Sequence, residues 1–488
     1  MNIVELLDGI EVLNREEIDF NLDVKNIAIN TQKVKEGTMF VCLKGQQFDG
    51  HNLKKKAQMA GAVCFVVEKY DYGFNGQQIL VKNTRVALSF IARNFYVGKS
   101  MPKVIGVTGT NGKTTTTYMV ASILKSAGKC VGVIGTEGIV YNGVKKNHNM
   151  TTPDPIELFN AFKEMNDAGV EYVVMEVSAH AIYLHKIDAI TFSVKALTNI
   201  TEDHLDFFKN IEAYRNCKVE YIVGESGFKV VNNNDEVGKK IINAGECCSY
   251  GFTEKEDVFA KNINEDCSEF EISMFNEIFD VKTNFIGMYN VENALCACAI
   301  AGCLGISAES IKNGLESFEC VDGRLNQYMF GNRRVIIDFA HTPDAFIKVM
   351  STVKKMLKGK MICVFGCGGN REKEKRPIMG QIASEYCDYI YLTSDNPRYE
   401  DPIQICKEIE TGIKGQNYEI ITDRECAIKM AFSKMEENDI LLVLGKGAEN
   451  YLEINGVKHD YSDRRVVQKL GENLWQMFIF SHFLLHFC

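Results

Sequence analysis

An apolar run, KVIGVTG, leads directly into Thr110, Asn111, Gly112, Lys113 and Thr114. Residues of these types in this order can bind phosphate. Glycines let backbone amides close on phosphate oxygens, a helix beginning there points its positive end at the anion, and Lys113 can reach the terminal phosphates. Thr114 offers the hydroxyl that ligates Mg²⁺ in such loops. The strict pattern places a glycine six positions before the lysine, and this chain has Val107 there. Farther on, Glu176 closes the apolar run YVVME. A carboxylate at the C-terminal edge of a neighbouring parallel strand sits where α/β proteins bind ligands, and it can hold a metal. By residue type alone Glu176 could equally be a capping residue. His204, in TNITEDHLDFF, could be structural rather than a ligand, and Lys218, in IEAYRNCKVEYI, could be a solvated lysine.

Those residues need elements to position them, and the chain divides by texture into three blocks. Residues 1–98 carry short β-like runs, TMFVCL and AVCFVVE, around one helix-like stretch, HNLKKKAQMAGA. Residues 99–323 open with the strand, glycine loop and helix just described. They then alternate strands such as YVVMEVS and FSVKALTNI with amphipathic helices, the mark of a parallel sheet with crossover helices. Residues 324–488 place the runs RRVIIDFA, MICVFG, DYIYLTS and DILLVLG between helical stretches, which predicts a second, doubly wound α/β unit. The expected fold class is therefore α/β, in three domains. At 488 residues the chain is too long for a single core.

Composition narrows the function classes. Lys and Arg total 55 against 64 Asp and Glu, a net charge of −9. This argues against a general nucleic-acid or membrane-surface binder and leaves room for a local basic cleft. Seventeen cysteines are spread along the chain without paired zinc spacing. In company such as NALCACAIAGCLG they read as small buried apolar residues of a reduced, cytoplasmic protein. No signal peptide opens the chain and no run reaches the ~20 apolar residues needed to cross a bilayer. The tail WQMFIFSHFLLHF, from Trp475 to Phe487, is more apolar than what precedes it and reads as a docking segment or an untidy chain end, with a membrane-touching helix as the alternative.

Ten motifs occur in order: GTNGKTTT, TTPDP, EVSAHA, TNITEDHLD, GMYNVENALCA, DGRL, DFAHTPDA, FGCGGNREKEKRPIMG, TSDNPRYEDP and LGKGAENY. With them the chain resembles the Mur ligases, and within these the MurE branch, over roughly residues 20–468. The resemblance implies an ATP-dependent ligase forming carbon–nitrogen bonds, with a small uridine-binding domain, a central P-loop-type ATPase domain and a C-terminal Rossmann-like domain. Gly109, Thr110, Asn111, Gly112, Lys113, Thr114 and Thr115 would cradle the ATP phosphates. Asn290, Asn293, Arg324, Asp338 and His341 would hold the nucleotide between the second and third domains. Thr114 and Glu176 would hold Mg²⁺ and His204 a second metal, while Lys218 matches the lysine that reacts with CO₂ to become a carbamate. Carbamylation requires a neutral amine, so Lys218 is expected to be buried with a depressed pKa. Lys113, Glu176, His204 and Lys218 form the implied catalytic set.

The UDP-MurNAc dipeptide would contact Thr31, Gly45, Gln46 and Gln47 in the first domain and Thr151, Thr152, Ser178 and Lys186 in the second. The third amino acid would sit on Arg371, the loop Asp395, Asn396, Pro397 and Arg398, and Gly445 with Glu449. Arg398 is what meso-diaminopimelate requires, because a guanidinium can pair bidentately with the distal carboxylate that lysine lacks. Glu449 could accept from the distal ammonium. The implied setting is a cytoplasmic monomer in peptidoglycan precursor synthesis, with no nucleic-acid partner and no obligatory membrane. The family pattern is broken at Asn30 and Gln32, which flank Thr31 where Asp-Ser-Arg is usual. Further breaks are Ala179 for a serine, Lys186 for an arginine, Asn370 for an aspartate and Ala448 for a histidine. These departures bear on the acceptor and admit L-lysine, another amino acid, or a paralogue's related substrate. A folylpolyglutamate-synthase-like enzyme would share the glycine loop without the Asp-Asn-Pro-Arg loop, and a silent nucleotide-binding partner would not need all four catalytic residues.

Overall fold

A computed structural model describes residues 1–45, 48–98, 100–148, 150–203, 205–208 and 210–471, excluding the side chains of 205 and 206. Gln46, Gln47, His204 and the apolar tail 475–487 lie outside the described residues. The strands expected in each block are present, and their C-terminal edges carry the loops of interest.

In the first block the strands Asn26–Ala28, Thr38–Val41, Ala62–Val67 and Gln77–Leu80 form a fully parallel sheet in that order. The helix Thr84–Tyr96 packs beneath it, burying Ala87, Leu88 and Ile91 at helical spacing. Thr31 and Gly45 follow the C-terminal ends of its first two strands. On the same helix, Ser89 ties the first block to the second: its hydroxyl donates to the Lys186 carbonyl at 3.3 Å and accepts from the Ala189 amide at 3.1 Å.

The second block is built on a parallel core. Lys103–Thr108 lies between Tyr172–Glu176 and Phe192–Leu197, with Val131–Gly135 beyond Tyr172–Glu176. All four strands are almost wholly buried, as the near-continuous apolar runs require for a sheet covered on both faces. Antiparallel strands extend both edges of this parallel core. Gly138–Tyr141 and Val144–Lys146 add an antiparallel edge on one side, and Glu269–Met274 and Glu277–Lys282 do so on the other. The helix Lys113–Ser126 is walled in by Met288–Cys303 and Ala308–Glu316. Small residues in NALCACAIAGC let that approach happen, and Cys296 and Cys298 are fully buried there. Among the described residues every cysteine is a free thiol.

In the third block the parallel order Arg333–Asp338, Ile440–Leu444, Met361–Phe365, Tyr389–Leu392 and Tyr418–Ile420 is flanked by antiparallel Asn326–Phe330. Four strand ends release the segments beginning at Phe339, Gly366, Thr393 and Gly445 toward the second block. That is the edge at which open α/β sheets bind ligands. A short hairpin, Tyr451–Ile454 with Val457–Asp460, lies over this edge. Among the described residues no helix is long and apolar enough to cross a membrane.

Candidate active site between the second and third domains

The phosphate loop leaves the strand Lys103–Thr108 and enters the helix at Lys113 through Gly112, whose φ is +85°. A Cβ at Gly112 would overlap the Asn293 side chain, so the glycine is required by both backbone and space. Asn199, at the end of the next strand, fixes the loop: its side chain accepts from the Asn111 amide at 3.0 Å and its carbonyl from Thr110 at 2.8 Å. Thr110 is also 3.0 Å from the Tyr214 hydroxyl. The Lys113 ammonium folds back on its own loop, donating to the Gly109 and Thr110 carbonyls at 2.9 Å. Desolvation lowers its pKa, opposed by the charges of Glu176 and Asp203.

Lys218 lies on the helix Ile211–Val223, whose buried stripe is Tyr214, Cys217, Lys218, Tyr221 and Ile222. Helical period thus places a lysine where an apolar residue belongs. It is 1% exposed, and its ammonium rests 4.7 Å from the Tyr214 ring centre. Among the described residues no carboxylate pairs with it. Burial, and then the nearby Lys113 charge, push its pKa well below the ordinary lysine value.

Glu176, also 1% exposed, accepts from the Thr136 amide at 2.7 Å and from the Thr136 hydroxyl at 3.2 Å. No ion pair to it is found among the described residues. A buried carboxylate without a paired cation among the described residues, and the buried threonine hydroxyl at Thr114, are hard oxygen donors of the kind that suit magnesium. The residues present therefore fit the metal. Thr152 and Ser178 stand beside Glu176: the Thr152 hydroxyl donates to the Glu176 carbonyl at 2.9 Å and lies 3.2 Å from the Ser178 hydroxyl. Thr151 meets Thr136 at 3.2 Å. Lys186, almost buried, pairs with Asp154 at 2.8 Å.

The nucleotide-facing residues from both domains line one cavity of about 80 Å³, including Asn111, Thr115, Asn290, Asn293, Asp338 and His341. Arg324 stacks on Phe339 at 4.5 Å and reaches the Thr114 hydroxyl at 3.5 Å. Asp338 accepts from the Leu325 and Ala340 amides at 2.8 and 2.7 Å, and burial raises its pKa. His341 is pushed down to about 4, first by desolvation and then by Lys375, so it is neutral at physiological pH. The joint is also held by an amide–carboxylate contact, Asn111 Nδ2 to Asp344 Oδ2 at 2.8 Å.

A second cavity, about 170 Å³, gathers Arg371, Asp395, Asn396, Arg398, Gly445 and Glu449 from three strand ends. Pro397 does not line it. Arg398 has φ +52°, an uncommon conformation for a non-glycine residue that costs on the order of 1–3 kcal/mol and clusters at functional sites. Its guanidinium is fixed by Nη1 donating to the Gly369 carbonyl at 2.7 Å and by Nε beside Glu453 at 3.3 Å. Neither contact uses Nη2. Glu449 Oε2 already accepts from Asn396 Nδ2 at 2.8 Å and from the buried Lys446 at 2.9 Å, leaving Oε1 with a 3.4 Å contact from Tyr451. The expected ammonium acceptor is thus a partly committed carboxylate. Lys446, Glu453 and the hairpin that carries Glu453 were not singled out from sequence. A lysine amid the glycines of LGKGAEN was the available signal for the first.

A third cavity, about 690 Å³, joins Thr136 and Thr151 of the second domain to Arg371, Arg398, Ala448 and Glu449 of the third. The arrangement can hold a polyphosphate beside one carboxyl substrate and aim an amino acid at it.

Comparison with known proteins gives three domain matches: Mur ligase family, catalytic domain, over residues 23–96; Mur ligase middle domain over 107–301; and Mur ligase, glutamate ligase domain, over 323–447. The UDP-N-acetylmuramoyl-L-alanyl-D-glutamate–2,6-diaminopimelate ligase of Clostridioides difficile (strain 630) is 39% identical over 484 residues, covering 96% of this chain and 99% of that one. The enzyme of the same name from Aquifex aeolicus (strain VF5) is 40% identical, covering 92% and 93%. A solved structure of a ligase of this name superimposes with a TM-score of 0.71 at 27% identity, over 97% of this chain and 99% of that chain.

Proposed function

The chain belongs to the Mur ligase family, and from that premise we propose that it joins meso-2,6-diaminopimelate to the D-glutamate of UDP-MurNAc-L-Ala-D-Glu at the expense of ATP, through an acyl-phosphate. The observation that carries the acceptor is the pair Arg371 and Arg398 on one wall of a cavity whose other wall holds Thr136 and Thr151.

The glutamate γ-carboxylate attacks the γ-phosphorus of ATP, the bond from the β–γ bridging oxygen to that phosphorus breaks and ADP leaves, and Lys113, released from its loop carbonyls, follows the charge that builds on the phosphoryl oxygens. Thr114 and Glu176 would hold magnesium, with His204 and carbamylated Lys218 serving a second ion. Bound there, the metal offsets phosphate charge. Thr152, Ser178 and Lys186 hold the muramoyl dipeptide so that its carboxylate faces the phosphate loop, while Thr31 and Gly45 to Gln47 take the uridine end. Neutral His341 and Asn290, Asn293 and Asp338 seat the nucleoside. The acceptor's amine then attacks the acyl carbonyl and phosphate leaves. Much of the rate comes from holding amine and acyl-phosphate together in a site closed to water.

The test is ATP hydrolysis dependent on UDP-MurNAc-L-Ala-D-Glu, compared across diaminopimelate, lysine and ornithine. Diaminopimelate is expected to give the highest kcat/KM, and turnover that ignored the muramoyl substrate would overturn the reading. A second expectation concerns motion. Asn111, Thr115, Asn290 and Asn293 of the second domain face Asp338 and His341 of the third across one cavity, so a nucleotide that touches both sets would draw the two domains together. Small-angle scattering should show a smaller radius of gyration with a non-hydrolysable ATP analogue and the muramoyl dipeptide than without them. Identical dimensions would count against closure.

A further inference from the structure

The two loops that carry Arg371 and Arg398 belong to no regular element, yet they are locked to each other. The Gly369 amide donates to the Asn396 carbonyl at 2.9 Å, Tyr399 donates to the Asn370 side chain at 3.1 Å, and Arg398 returns to the Gly369 carbonyl. A Cβ at Gly369 would overlap the Pro397 carbonyl, so the loops touch backbone to backbone. Beneath them lies Arg376, on the helix Lys375–Tyr386, with no exposed surface. Its Nη1 and Nη2 donate to the two Glu400 oxygens at 2.9 and 3.1 Å; Nη1 also reaches Glu408 at 2.6 Å and Nη2 the Gly368 carbonyl at 3.1 Å. Glu400 in turn accepts from the Asn370 amide and pairs with Lys373 at 3.3 Å. Its carboxyl is held down at about 2, chiefly by Arg376.

We propose that Arg376 is a positioning residue for acceptor choice: through Glu400 and Gly368 it sets the spacing between the Arg371 and Arg398 guanidiniums. This rests on the acceptor reading above. A planar fork can hold one carboxylate bidentately while a remaining donor takes a carbonyl, and an ammonium cannot keep that geometry. Without the fork, Glu400 and Glu408 are like charges sharing one cation, Lys373, and the two loops lose their common anchor.

Arg376→Lys and Glu400→Gln should each raise the KM for diaminopimelate, about tenfold for the first and less for the second. The KM values for ATP and the muramoyl dipeptide should stay near wild type, and the diaminopimelate-over-lysine preference should fall. Thermal unfolding of both variants shows whether the fold is kept; if Arg376→Lys does not fold, Glu400→Gln carries the test. A folded variant whose acceptor preference is unchanged, with kcat or Tm lowered for all acceptors alike, would reduce Arg376 to packing and overturn the proposal. Wild-type enzyme that does not use diaminopimelate would instead sink the acceptor reading, while a shift in preference among the acceptors it does use would still report the clamp.

Discussion

Replacing Lys218 with methionine should abolish ligation and, in CO₂-depleted buffer, stabilise the protein. The two effects come from one fact: the amine is 1% exposed and lacks a carboxylate partner among the described residues. Folding depresses its pKa, so the native chain binds that proton less well than the unfolded chain. Below the ordinary lysine range the unfolded state therefore gains from protonation, and Lys218 subtracts stability at neutral pH. Methionine fills similar space without that cost. The same depression leaves a neutral amine available for attack on CO₂, forming the new C–N bond as the nitrogen gives up a proton to solvent. The product is an anion beside Lys113 where a cation would otherwise repel it. Removing one preorganised charge of this kind costs about a hundredfold or more in turnover. Lys218→Ala should fall as far. Bicarbonate should restore nothing to it, since no amine remains, whereas a short carboxylic acid should recover part of the rate by filling the same place. Near wild-type turnover in either variant would end the carbamate reading.

Much of that site could be read from local pattern. By itself Lys218 reads as a solvated lysine and only the family resemblance gives it a role, whereas the phosphate loop is contiguous and Glu176 ends an apolar run, so these two carry a signal within about a dozen residues. The parallel cores of the second and third sheets were legible for the same reason, because strands buried on both faces are written as unbroken apolar runs. Edge strands were not. Asn326–Phe330 and Tyr418–Ile420 are only partly covered, and the exposed hairpin Val457–Asp460 reads as loop until its partner is known. Context decides such strands more than composition does.

What sequence could not reveal is which charges meet. Asn111 and Asp344 are 233 positions apart, and Lys446 reaches Asn396 across 50. Arg424 forms a buried bidentate pair with Asp463 at 2.8 Å and also donates to the Leu444 carbonyl. It thereby fixes the strand end from which the Gly445 loop departs. None of these pairs has a spacing rule, because each is set by which strand ends the topology brings together. The left-handed backbone at Arg398 was equally hidden. It follows from the parallel bridge to Ile454, where the Arg398 amide donates to the Glu453 carbonyl at 3.0 Å and its own carbonyl accepts from Asn455 at 2.7 Å.

Arg398→Ala should raise the KM for meso-diaminopimelate by about one to two decades. A charge-assisted bidentate pair in a partly closed site is worth roughly 1.5–3 kcal/mol, which converts to that range. Nη1 and Nε are already committed to Gly369 and Glu453, so the guanidinium is held in place before the acceptor arrives and little side-chain entropy remains to be lost. The alanine keeps a Cβ at φ +52°, so backbone strain is unchanged and cannot account for a loss. The constants for ATP and the muramoyl dipeptide should hardly move, because those ligands bind across the joint. Lysine, lacking the distal carboxylate, should not suffer the same penalty, and the ratio of kcat/KM for the two acceptors should collapse. Arg398→Lys should recover only part of it, since the ammonium keeps charge without the fork. Measuring both acceptors on the three proteins decides the matter. If the wild-type enzyme prefers lysine, Arg398 is not the selector. Asn370 and Ala448 would then be the first positions to revert, one fastening the Arg371 loop to Tyr399 and the other lining the cavity between the two domains.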